Sequence, residues 1–347
     1  MRNYLLSAAA VALSAVLAFT GCSKAEKPAG GEAGADSPGL PEIVNIGTQK
    51  MPDDEGVAIA KGYFQKELGV KVNIVEFQAG DIRNAMIAKN IDFALLGSSS
   101  AALGIANGME VELIWVHEVL GDAEQLVARD GSGIRSLQDL KGKKVATAFT
   151  STSHYSLLRA MQRDGISEKD VTLLDMQMPD IYAAWQRGNI DAAYAWEPTL
   201  SKLLESGKTI LSSKDIAAQG VVTSNVEIVR KEFARRYPEI VKKYIKALNE
   251  AVELYRQHPE EAVGAVSKAL GLSEEEAKKQ MQGSVWLDAK EQLAPEYLGT
   301  STQKGGIVNS MKDTADFLYE QKSLASEPKT GTFEQAVNPS YVEQALQ

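Results

Sequence analysis

Two stretches decide the fold: "AMIAKNIDFALLG", from Ala85 to Gly97, and "AWQRGNIDAAYAW", from Ala184 to Trp196. Each reads as the end of a helix, then Asn-Ile-Asp as a turn, then a short apolar strand. Outward from the first copy, "EIVNIG" and "VKVNIVEF" read as strands. "VAIAKGYFQKEL" places Val57, Ile59, Ala60, Tyr63, Phe64 and Leu68 on one helical face, and Gly69 ends it. "DIRNAMIAK" is the next helix. Around the second copy, "KKVATAF" and "VTLLDM" are strands, while "YSLLRAMQRDG" and "DIYAAWQRG" are helices. Both copies run β-α-β-α-β. Such a block builds a mostly parallel sheet with helices on both faces, so the fold class is α/β with two lobes, each with a mostly parallel sheet. Ligands of open α/β sheets sit beyond the carboxyl ends of the strands, which aims both sets of loops at one cleft.

The remaining chain sets the expected boundaries. Residues 1–21 read as a lipoprotein signal peptide: Arg2, then the uncharged apolar run "YLLSAAAVALSAVLAF", then "FTGC". Cys22 is the only cysteine and has no disulfide partner, so lipidation is its expected use; an ordinary signal peptide with a chance cysteine is the other reading. Residues 22–41, rich in Gly, Ala and Pro, read as a flexible tether. Three acyl chains at ~0.8 kcal/mol per buried methylene would anchor it firmly. That places the protein in the cell envelope, on the periplasmic side of a membrane. The chain is expected to cross between lobes near Val127–Gly131 and to return over "GVVTSNVEIVR". This gives 42–128 and 228–325 for lobe 1, 129–227 for lobe 2 and 326–347 for a C-terminal tail, with a hinge of two segments. From Lys231 to "SVW" the chain reads as helical, with Pro238 and Pro259 at helix starts.

Net charge is −9, and no Lys/Arg cluster interleaves with aromatics, which argues against nucleic acid. His117, His154 and His258 lack metal-ligand spacing, and no cofactor motif such as a P-loop is present. A monomer is expected. Four loops should line the cleft: "GTQKMPDD" with Thr48 and Gln49, "LLGSSSAA" with Ser98, Ser99 and Ser100, "FTSTSHYS" with Ser151–His154, and "YAWEPT" with Trp196 and Glu197. The serine loops offer hydroxyls and free N–H groups at helix N-termini, which suits an anion; simple capping is the alternative. Glu118, Asp122, Trp185, Tyr194, Trp196 and Glu197 supply acids and aromatic faces suited to an ammonium group, although core burial explains Trp185 and Tyr194 equally well.

"STSHYSLL" at 151–158 and "AAWQRGNIDAAYAW" at 183–196 resemble the periplasmic taurine-binding component of taurine ABC importers; "LLGSSS" and "LGDAEQLVAR" match it more loosely. The broader group includes binders of alkanesulfonates, nitrate and thiamine precursors. The resemblance covers roughly 43–325. It implies a type II periplasmic binding protein, not an enzyme, that delivers a small zwitterionic solute to an ABC permease and its ATPase. It also implies that Ser98, Ser99, Ser151, Thr152, Ser153 and His154 face a sulfonate, with Gln49 and the acids facing an amine. The family's taurine binders carry an acid where Asn225 stands and smaller residues where Glu118 and Glu197 stand. Either the acid has moved across the pocket, or the substrate is a different amine or a longer cation. The competing readings are a binder of another alkanesulfonate, amine or nitrogenous solute, an enzyme like the thiamine-pyrimidine synthases, and a surface adhesin or sensor.

Overall fold

Two sheets organise the chain. The computed structural model describes residues 39–347; the expected signal peptide, Cys22 and most of the tether lie outside the described residues. The strands are β1 (Ile43–Thr48), β2 (Lys71–Glu76), β3 (Phe93–Gly97), β4 (Val111–Leu120), β5 (Glu124–Arg129), β6 (Lys144–Thr147), β7 (Thr172–Asp175), β8 (Ala192–Trp196), β9 (Gly207–Ser212), β10 (Ser224–Arg230) and β11 (Ser284–Trp286). The first sheet runs β2-β1-β3-β10-β4-β11, and the second runs β7-β6-β8-β5-β9. In each, three parallel strands are followed by one antiparallel strand that has crossed from the other lobe: β10 in the first sheet, β5 in the second.

The repeated Asn-Ile-Asp has one physical job in both lobes. Ile91 and Ile190 are buried. The Asp92 carboxylate accepts from the Asn45 N–H at 2.9 Å, and the Asp191 carboxylate accepts from the Lys144 N–H at 2.9 Å. Each aspartate thus pins the start of its strand, β3 or β8, to the adjacent parallel strand, β1 or β6. The crossing strands end the same way: Arg230 Nε donates to the Ile91 carbonyl at 3.1 Å, and Arg129 Nε to the Ile190 carbonyl at 3.0 Å. A motif that satisfies its neighbours' backbone groups constrains sequence as strongly as a core position does.

Three expected boundaries change. Residues 124–129 pair with β8 and β9, so the chain crosses at about Gly121–Ala123, before Val127. β10 begins at Ser224 in the first sheet, so the return precedes residue 228. Ser284–Trp286 is not helical but a strand antiparallel to β4. The expected 326–347 tail forms helices Thr330–Ala336 and Ser340–Ala345. Val337 bridges Leu113, and Phe333 and Val342 are buried in the first lobe's core. Pro238 and Pro259 do open helices, Pro238–Gln257 and Pro259–Leu270, where a missing N–H costs nothing. Helix Ile307–Glu320 spans both lobes: it packs on helix Ser98–Ala106 and sets Phe317 edge-on to Tyr155, ring centroids 5.3 Å apart.

Candidate ligand site

Helices Ser98–Ala106 and Thr152–Arg163 follow β3 and the β6 loop and start facing one another across the cleft. A Cβ added at Gly97 would lie 3.0 Å from Thr152 Cγ2, so glycine permits the lobes to meet there. Between them lies a cavity lined from both lobes. Gln49, Met51 and Pro52 line it from the β1 loop, Gly97 and Ser100 from the first helix start, and Ser151 and Thr152 from the second. Glu118, Glu124, Trp196, Glu197, Asn225 and Gln280 complete its polar wall. No Lys, Arg or His belongs to that lining.

The three glutamates differ in their attachments. Glu118 accepts from Asn225 Nδ2 at 2.7 Å; the two residues face each other across β4 and β10. Burial, with Asp54 adding repulsion, pushes its carboxyl up to about 7 despite the bond from Asn225. Glu197 accepts from both the N–H and the hydroxyl of Ser201, at 3.0 and 2.8 Å, and burial raises its pKa. Glu124 is fully engaged. Oε1 accepts from the hydroxyls of Thr152 (2.5 Å) and Ser153 (2.7 Å), and Oε2 from Ser213 (2.5 Å). Burial raises its pKa as well.

These bonds revise the expected anion side. Gln49, Glu118, Ser151, Thr152, Trp196, Glu197 and Asn225 line the cavity; Ser98, Ser99, Ser153 and His154 do not. The Ser98 hydroxyl accepts from the Ser224 N–H at 3.3 Å, and the buried Ser99 hydroxyl has no protein partner among the described residues. Ser151 caps its helix and donates to the Ala148 carbonyl at 2.6 Å. Thr152 and Ser153 spend their protons on Glu124. His154 stacks on Phe149, centroids 4.3 Å apart, and its Nδ1 accepts from the Thr150 N–H. Burial lowers its pKa to about 4, so it is neutral. At the two helix starts Ser100, Ser151 and Thr152 line the cavity, and the last two already donate to the Ala148 carbonyl and to Glu124. Trp185 and Tyr194 are core residues, and Asp122 is exposed.

Sequence reading missed Glu124 and Gln280 in the wall. It also missed a charged network behind Glu118. The acids of "PDDEG" look solvated, yet Asp53, Asp54 and Glu55 are buried. His117 Nδ1 meets Asp54 at 2.7 Å and Nε2 meets Glu227 at 3.0 Å. Burial disfavours its charge, but the two carboxylates outweigh that and raise its pKa well above the ordinary value. Both ring nitrogens donate, which defines an imidazolium. The Tyr244 hydroxyl lies 2.9 Å from Glu55 and 3.0 Å from Glu227. Burial, with repulsion from Glu227, pushes the Glu55 carboxyl up to about 8. Among the described residues no cluster of His, Cys, Asp and Glu has the geometry of a metal site, and no helix is long and apolar enough to cross a membrane.

Residues 56–262 match the NMT1/THI5-like family. The chain belongs to that family. This NMT1/THI5-like chain is 33% identical over 285 residues to the taurine-binding periplasmic protein of Escherichia coli K12, covering 80% of this chain and 86% of that one. Its fold matches the alkanesulfonate-binding protein SsuA from Xanthomonas axonopodis pv. citri, solved bound to MOPS. That match has a TM-score of 0.72 at 22% identity, over 86% of this chain and 99% of SsuA. The desulfurization enzyme DSZB shares the fold at a TM-score of 0.62 and 15% identity, over 88% of this chain and 99% of its own. The architecture is that of a type II periplasmic binding protein, two mixed sheets with parallel cores.

Proposed function

We propose that this protein is the solute-binding component of an ABC importer and holds taurine or a closely related aminosulfonate between its lobes. One observation carries the reading: three glutamates and no basic side chain wall a cavity that the starts of two helices face. A plain alkanesulfonate would meet that acidic wall without compensation. A zwitterion places its ammonium against Glu118 and Glu197, with Trp196 beside them, and its anion against the helix N-termini. The 33% identity to a taurine-binding protein supports the solute class. The pairing of Asn225 with Glu118 supports an acid moved to the facing position on the neighbouring strand. An enzyme of the thiamine-pyrimidine synthase kind would need cysteines for its chemistry, and residues 39–347 contain none. Binding alone, by stabilising the closed lobes, suffices for presentation to a permease. Lipid attachment through Cys22 fits this role and is tested by mass spectrometry of the mature N-terminus. Calorimetric titration with taurine and with shorter and longer aminosulfonates tests the substrate. No heat and no thermal shift with any of them refutes it.

A further inference from the structure

Arg83, on helix Ala79–Ile87, is a half-buried cation without a carboxylate partner among the described residues. Its pKa is lowered by burial, with no acid offsetting the cost. Its Nη1 donates to two hydroxyls instead: Ser100 in the first lobe at 3.2 Å and Thr150 in the second at 3.3 Å. Thr150 has φ 65, a left-handed conformation that costs a β-branched residue energy. That conformation is held where the lobes meet.

Ser100 lines the cavity, and Arg83 does not. A hydroxyl has one proton and two lone pairs. With Arg83 donating to Ser100 Oγ, the hydroxyl proton has no protein acceptor among the described residues, and a charged donor strengthens it as a donor in turn. We propose that Arg83 is a specificity-determining residue for the anionic end of the ligand. It works through Ser100, which relays its charge into an otherwise acidic cavity, and through Thr150, which ties that end to the closed arrangement of the lobes. An acidic wall can thereby accept an anionic head without a basic side chain in contact with it.

The inference builds on the zwitterion reading, and its test separates the two. Wild type, Arg83→Gln and Arg83→Lys are titrated with taurine and with 2-aminoethanol, which keeps the amine and replaces the sulfonate by a neutral hydroxyl. The expected result is that Arg83→Gln weakens taurine about tenfold or more and leaves 2-aminoethanol within about twofold, with Arg83→Lys recovering part of the taurine loss. An equal loss for both ligands, a purely structural effect, overturns the proposal, as does unchanged taurine binding. Should wild type not bind taurine, the aminosulfonate reading falls, and inorganic sulfate then decides the anion claim alone. Weaker sulfate binding by Arg83→Gln than by wild type upholds it; equal binding, or none by wild type, overturns it.

Discussion

Glu118→Gln should make the empty protein more stable and the ligand-bound protein less so. Burial lifts the Glu118 carboxyl from 4.5 to about 7. An acid with a raised pKa binds more protons folded than unfolded, so its contribution to stability falls as pH climbs from about 4.5 to about 7 and is constant above. At about 1.4 kcal/mol for each pH unit, the ionised side chain costs the empty protein about 3 kcal/mol at pH 8. Glutamine keeps an oxygen to accept from Asn225 and removes the charge. Its amide N–H groups face the cavity at a cost of about 1–2 kcal/mol. The net gain of about 1–2 kcal/mol raises the melting temperature of the empty variant by about 4 °C at pH 8. At pH 5, where wild type is largely protonated, the gain disappears. Against an ammonium ligand the order reverses, because the charge that burdened the empty site is now paired. Taurine affinity should fall by about 2–5 kcal/mol. The assay is scanning calorimetry at pH 5 and pH 8, with and without taurine. An empty variant that melts below wild type at pH 8, or one that keeps the full taurine shift, refutes the reasoning.

Other consequences follow from the same geometry. An ammonium group that holds Glu118 ionised should make taurine affinity rise by up to about tenfold per pH unit below 7 and level off above. Titrations at pH 6 in two buffers of different ionisation heat should count up to one proton released, and a flat profile would exclude Glu118 as the amine's partner. His117→Leu leaves Asp54 and Glu227 buried without their shared cation and should cost about 3–5 kcal/mol in urea unfolding; affinity measured on the folded fraction should hold within about twofold. His154→Ala should change taurine affinity less than about threefold, because the ring is neutral and outside the cavity; a larger loss would return it to the site.

The order of elements, the twofold repeat and the loops at the cleft are local properties, and the sequence determined them. Hydrophobic periodicity, Gly69 and Gly165 as helix stops, and Pro238 and Pro259 as helix starts need no knowledge of distant residues. The Asn-Ile-Asp repeat was legible as a turn, although its bonds to Asn45 and Lys144 join residues nearly fifty positions apart and appear only in three dimensions. Only the tertiary structure decided which sheet takes Glu124–Arg129, since an apolar strand fits either lobe and pairing alone chooses. It also decided the fate of each polar side chain. Thr152 and Ser153 look like anion ligands until Glu124 arrives from another strand and takes their protons. Asp53, Asp54 and Glu55 look solvated until His117, Glu227 and Tyr244 close over them. Hydroxyls and carboxylates have several possible partners, and the partner is set by what the fold brings within 3 Å.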